Sequence, residues 1–145
     1  MLTALESNMK LILVDSPDAE LISFFDKKIE EFNLQHWEVK EKKPLAVKVM
    51  NEKNEIVAGA AAKTFGLWML LDNLWVHESL RGKNIGTQIL NMLEETALKR
   101  GCQYVLLDTL NFQARPFYER HGYKVKWVQE KYPQDGCKYF MVKEL

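Results

Sequence analysis

Hydrophobic positions along the chain change their period several times, and each change marks an element. Lys10 to Val14 is a short apolar run closed by Asp15-Ser16-Pro17, which reads as a strand. Ser16, Pro17 and Asp18 then form a helix start: a capping side chain, a proline at the first position, and an acid near the positive end. Leu21, Phe24, Phe25, Ile29 and Phe32 recur at helical spacing, so one face of that helix is expected to pack on something. Asn33 to Lys43 loses the period and reads as a loop or a short second helix.

Strands follow. Leu45, Val47 and Val49 alternate with smaller or polar residues up to Met50, Asn51 to Asn54 is a polar turn, and Ile56 to Lys63 returns as the second arm of a hairpin. After Gly66, Leu67 to His77 is almost wholly apolar, the pattern of a central strand covered on both faces. A helix is predicted from about Asn84 to Arg100, with Ile85, Ile89, Met92, Leu93 and Ala97 as its buried face and Gly101 ending it. Gln103 to Leu107 reads as another buried strand and Ala114 to His121 as a short helix stopped by Gly122. Tyr123 to Val128 and Tyr139 to Val142 complete the sheet. The order β-α-β-β-β-α-β-α-β-β predicts an α/β mixed sheet.

Composition narrows the classes. A chain of 145 residues with 47% hydrophobic and 28% charged positions fits one globular domain and argues against disorder. Lys+Arg and Asp+Glu both number 20, which disfavours a broad nucleic-acid surface and leaves room only for a small, locally held anion. No run approaches the roughly 20 apolar residues that span a bilayer. Met1 to Asn8 carries an acid and no long apolar core, unlike a signal peptide, so a soluble cytoplasmic protein is expected. Cys102 and Cys137 make neither a metal cluster nor a disulfide framework, Cys102 reading as a buried thiol. His36, His77 and His121 lack ligand spacing, so no metal is expected.

Candidate chemistry concentrates between Leu74 and Gly86. An apolar strand ends there, the loop Arg81-Gly82-Lys83-Asn84-Ile85-Gly86 follows, and a helix begins. Free N–H groups and the helix dipole meet at such a junction, where glycines admit a phosphate and Arg81 and Lys83 add charge. Neither G-x-x-x-x-G-K-[ST] nor G-x-G-x-x-G is present. The residues alone leave open a phosphate-bearing ligand or a tight turn with solvated charges.

The segment Leu74 to Gly86 resembles the acetyl-CoA motif of the GNAT N-acetyltransferases: Arg or Gln, two residues, Gly, one residue, then Gly or Ala. Arg81 and Gly86 match it, and Asn84 replaces the first glycine, a residue that tolerates left-handed backbone. Asp108 to Tyr123 is similar to the later strand–helix segment, with Asn111, Ala114, Phe117-Tyr118-Glu119 and Gly122-Tyr123 in order. The nearest likeness is to a bacterial branch in which a proline directly follows the Ala; here Arg115 intervenes before Pro116. The resemblance implies a single GNAT domain over 1–145, with a mixed, mostly antiparallel sheet, splayed central parallel strands and flanking helices.

It also implies roles. Acetyl-CoA would be the cosubstrate, contacted by Trp75, Val76, Arg81, Gly82, Lys83, Asn84, Ile85, Gly86, Thr87, Asn111, Ala114 and Phe117. Trp75 and Val76 would offer strand backbone to the pantetheine arm, the N–H near Val76 would polarise the carbonyl, and Asn111 would bond the arm. Tyr118 would be the general acid, against the alternative of a core tyrosine with a bonded hydroxyl. Asp72 is the candidate base, raised in pKa if unpaired in its apolar strand, or else a structurally paired acid. His77 and Glu78 come second, and a solvent-only route stays open. Arg115, Arg120 and Lys126 could face the phosphates or only solvent.

The acceptor is expected to be a primary amine on a small molecule or protein, attacking directly in a ternary complex. It would be held by the first helix, Asn33 to Lys43, and the hairpin around Pro133 to Lys138. Neither nucleic acid nor membrane is an expected partner, and the chain would be a monomer or homodimer. The competing reading is a non-catalytic acyl-CoA-binding regulatory module on the same fold.

Overall fold

The structure, a computed structural model, describes residues 8–145. It divides into two compact units, one extending to Lys40 and the other Glu41–Leu145. The reading of Met1 to Asn8 falls almost wholly outside the described residues.

In the first unit α1 is Ala19–Leu34. Its cap is Asp18, whose carboxylate accepts the Leu21 N–H at 2.8 Å, so the helix starts two residues later than Ser16 and Pro17 suggest. Phe24, Phe25, Ile29 and Phe32 are more than half exposed, so the described part of their own unit does not cover the apolar face. Asn33 to Lys40 holds no second helix; the N–H groups of His36 and Trp37 turn back onto the Asn33 carbonyl. The strand expected at Lys10 to Val14 is not formed. A strand needs a ladder partner for its N–H and C=O groups, and the described part of this unit contains no other strand.

The second unit carries β1 (Lys43–Met50), β2 (Ile56–Phe65), β3 (Trp68–Val76), α2 (Ile85–Lys99), β4 (Tyr104–Leu110), α3 (Arg115–Arg120), β5 (Lys124–Glu130) and β6 (Cys137–Glu144). The sheet runs β1-β2-β3-β4-β6-β5, and only β3 and β4 are parallel. The β1–β2 hairpin closes at Asn51, whose side-chain oxygen accepts the N–H groups of Lys53 and Glu55 at 2.9 Å each.

Helix α2 lays Ile89, Leu90, Leu93 and Ala97 against the sheet, each at most 2% exposed. Burial of each large side chain stabilises the fold by roughly 1.5–3 kcal/mol. Ala58, Ala60 and Ala62 of β2 present small side chains to the same core. Met92, expected on the buried face, is 56% exposed, and Glu94 is buried instead. Glu94 accepts from the Tyr123 hydroxyl at 2.8 Å and the Lys143 ammonium at 2.7 Å, which satisfies its charge and ties α2 to β6. Cys102 is buried, and burial raises its thiol pKa against the opposing pull of Arg100. No described helix is long and apolar enough to cross a membrane.

Candidate active site

A cavity of about 1170 Å³ opens where the two parallel strands part. β3 and β4 pair only from Trp68–Tyr104 to Leu70–Leu106. Just beyond, the β2–β3 register skips Asp72: Ala62 pairs with Leu71 and Ala61 with Asn73. The extra residue is a bulge, which bends β3 and strengthens its twist. Leu71 to Val76 and Leu107 to Leu110 then line the two sides of the gap.

The ladder shows which backbone faces that gap. His77 N–H donates to the Val57 carbonyl at 2.9 Å, one step outside the Ala58–Val76 pair. That pair is therefore a non-hydrogen-bonded one, and the N–H and C=O of Val76 point away from β2 toward the gap. Leu74, opposite Ala60, shares this orientation. Trp75, opposite Gly59, directs its backbone to β2, against the expectation that it would face the gap beside Val76. The Val76 carbonyl accepts from Arg81 Nε at 3.4 Å.

The loop after β3 makes a 3-10 turn at Glu78–Leu80, capped by His77, whose Nδ1 accepts the Ser79 N–H at 3.1 Å. That contact gives His77 a structural task, and neither His77 nor Glu78 lines the cavity. Gly82 and Asn84 both take left-handed backbone, at φ 80° and 66°. Asn84 keeps this conformation as the α2 cap, as its match to the family glycine requires. The first α2 hydrogen bond runs from Gln88 N–H to the Asn84 carbonyl at 3.2 Å, so the N–H groups of Ile85, Gly86 and Thr87 precede the helical ladder. All three residues line the cavity with Arg81, Gly82 and Asn84, whereas Lys83 is exposed outside the lining. A Cβ on Gly86 would sit 3.3 Å from the Phe117 ring, so glycine lets α2 approach α3 here.

Helix α3 starts at Arg115 with Pro116 in its first turn, where a missing N–H costs nothing. It sets Ala114, Phe117 and Tyr118 along the cavity. Tyr118 is 7% exposed, and its hydroxyl makes no hydrogen bond among the described residues. Burial, and then the charge of Asp108, push its pKa up to about 12, so the phenol is protonated at neutral pH.

Asp72 sits at the bulge with its carboxylate 3.5 Å from Lys63 Nζ, and its side chain is 43% exposed. The bulge breaks its phase with Leu74 and Val76, and the apolar burial anticipated for it is absent. Asn111 lies outside the cavity lining. Its side-chain oxygen accepts the Cys137 N–H at 3.1 Å, and its N–H donates to the Cys137 carbonyl at 3.0 Å, which extends β4 along β6. Arg115 pairs with Glu119 at 3.2 Å and lies over the Tyr139 ring, Lys126 is exposed, and Arg120 lines the cavity. From the β5–β6 hairpin Tyr132 and Lys138 reach the cavity.

Asp108 is the residue that reading along the chain missed. Leu106-Leu107-Asp108 repeats Leu70-Leu71-Asp72, and the paired register of Leu70 with Leu106 puts each acid two residues beyond the last pair. The repeated tripeptide was the available signal.

Residues 7–123 match the acetyltransferase (GNAT) family. The chain is 33% identical over 115 residues to acetyltransferase Atu2258 of Agrobacterium fabrum, covering 79% of this chain and 84% of that protein. It is 31% identical over 116 residues to blasticidin-S acetyltransferase of Streptomyces morookaense, with coverages of 77% and 85%. An acetyltransferase structure from Bacillus cereus ATCC 14579 superposes with a TM-score of 0.82 at 28% identity, over 92% of this chain and 98% of that one. The splayed parallel pair, the loop ahead of α2 and these likenesses agree: the chain belongs to the GNAT acetyltransferase family.

Proposed function

We propose that this protein transfers the acetyl group of acetyl-CoA to a primary amine by direct attack within a ternary complex. The observation that carries the reading is the unbonded Tyr118 hydroxyl on the same cavity as the gap-facing N–H of Val76. The pyrophosphate fits the first turn of α2, against the N–H groups of Ile85 to Thr87 and the charge of Arg81. The pantetheine arm fits the gap, pairing with the backbone of Leu74 and Val76 as a strand would. The Val76 N–H then polarises the thioester carbonyl.

As the amine attacks, a C–N bond forms, the C–S bond breaks, one proton leaves nitrogen, and the thiolate gains one. A phenol at about 12 cannot give its proton outright to a thiolate whose ordinary pKa is about 8.5. Tyr118 instead donates a hydrogen bond to sulfur as negative charge develops, and passes on a proton only as another replaces it. Asp72 and Asp108 are the carboxylates open to the cavity that can attract a cationic amine and accept its proton, directly or through water. The acceptor is a small molecule or a protein amine; the likeness to a blasticidin-S acetyltransferase supports the first of these.

Thiol release from acetyl-CoA, followed across a panel of diamines, aminoglycosides, amino-nucleosides and peptide amines, tests the reading. Transfer to at least one amine, abolished without the enzyme, is expected. Tight CoA binding with no transfer to any of them would support the silent binding module instead.

A further inference from the structure

His121 caps the C-terminal end of α3, and both of its ring nitrogens are engaged. Nδ1 lies 2.8 Å from the Phe117 carbonyl, and Nε2 lies 2.9 Å from the Thr87 hydroxyl in the first turn of α2. A carbonyl oxygen only accepts, so Nδ1 carries a hydrogen. In a neutral ring Nε2 must then accept, and Thr87 gives its single hydroxyl hydrogen to it. Thr87 lines the cavity at the turn assigned to the pyrophosphate. With that hydrogen directed at His121, its oxygen presents only lone pairs to a phosphate, which is the wrong polarity.

A second proton on the ring reverses this. Nε2–H then donates to Thr87 Oγ1, and the hydroxyl hydrogen is free to turn to an anion. We propose that His121 is a positioning residue for the cofactor phosphates: phosphate binding draws a proton onto the ring, and that proton converts Thr87 into a phosphate donor. The inference rests on acetyl-CoA occupying the α2 turn.

The surroundings are consistent with such a linkage. Ionisable groups on the adjoining elements are Arg115, Tyr118, Glu119 and Arg120 of α3; Lys83 ahead of α2, with Glu94, Glu95 and Lys99 within it; and Cys137, Lys138, Tyr139, Lys143 and Glu144 of β6. Arg115 is paired with Glu119, and Lys143 with Glu94. Among the described residues no carboxylate lies within ion-pair distance of the His121 ring. On its apolar side the Phe117 ring stands 4.5 Å away, centroid to centroid. A bound phosphate would therefore be the first anion near it.

The chain has 3 histidines, which makes the ring signals assignable with the variants His36→Gln and His77→Gln. Proton NMR of the imidazole Cε1–H signals against pH, with and without CoA, reads the linkage on the intact protein. The His121 midpoint is expected to move upward on CoA binding; an unmoved midpoint overturns the proposal even if the substituted proteins fold poorly. In kinetics His121→Gln should raise KM for acetyl-CoA about tenfold, or about 1.4 kcal/mol, with kcat within about twofold. Thr87→Ala should do likewise, and the double variant should be no worse than Thr87→Ala alone. Fully additive losses would show that His121 does not act through Thr87. If the unsubstituted protein binds no CoA at all, the acetyl-CoA reading itself falls, and this inference with it.

Discussion

Tyr118 and Tyr123 stand with ring centroids 5.7 Å apart, and their hydroxyls meet opposite fates. Tyr123 donates to Glu94 at 2.8 Å, while Tyr118 reaches the cavity with no protein partner among the described residues. On the proposed function, one position serves the fold and the other serves the chemistry. Tyr118→Phe should therefore lower turnover by about 10²–10⁴ with KM for acetyl-CoA and thermal stability nearly unchanged. Tyr123→Phe should do the reverse, costing about 1–3 kcal/mol of stability as Glu94 loses a donor. Steady-state kinetics and thermal unfolding on both variants separate the roles; unchanged turnover in Tyr118→Phe defeats the acid assignment.

Alkaline pH offers a second check. Burial raises both phenols, and at Tyr123 the Glu94 charge and hydrogen bond add to it. In the unfolded chain a tyrosine loses its proton near 10, whereas folded Tyr118 keeps it to about 12. The folded state thus binds more protons between these values, and stability falls as pH rises through that window. Urea unfolding at pH 9 and pH 11 should show a decline on the order of 1.3 kcal/mol from Tyr118, absent in Tyr118→Phe. Equal declines in both proteins would mean Tyr118 is not held protonated by burial.

Glu94 joins two donors that are themselves largely removed from water. Glu94→Ala leaves the Lys143 ammonium without its partner and is expected to cost about 3–5 kcal/mol. Replacing the pair together, Glu94→Leu with Lys143→Met, should recover much of that loss. A double variant as damaged as Glu94→Ala would show that shape, not charge burial, dominates here.

At Asn84 the backbone demands φ near 66°. Asn84→Gly should stay within about 0.5 kcal/mol of the parent and retain CoA affinity, whereas Asn84→Val should lose about 1–2 kcal/mol. Calorimetric CoA titrations with both variants, beside their melting curves, would expose any further role of the asparagine side chain.

Much of the fold was legible from local pattern. The β1–β2 hairpin, α2 between its loop and Gly101, and the short α3 that begins just after Ala114 and stops before Gly122 all follow from periodicity, turn chemistry and caps. The exceptions have physical causes. Lys10 to Val14 has the composition of a strand, but the described part of its own unit holds no other strand to pair with it. Met92 sits at helical spacing yet faces outward, because Glu94 reaches two donors contributed by other elements and takes the buried side.

The sequence alone determined the family and the glycine-containing loop that opens α2, because these depend on residues adjacent in the chain. Only the tertiary structure decided how those groups are used. Tyr118 is open because Glu94, which would have satisfied a phenol, is aimed at Tyr123. Val76 offers its N–H to the gap because the ladder with β2 leaves it outward, and Asp72 sits at the bend because the register slips there. Thr87 and His121 meet across 34 residues of chain. Orientation of a donor, like the partner of a buried charge, is settled by what packs against it from far away in sequence, and no local period carries that information.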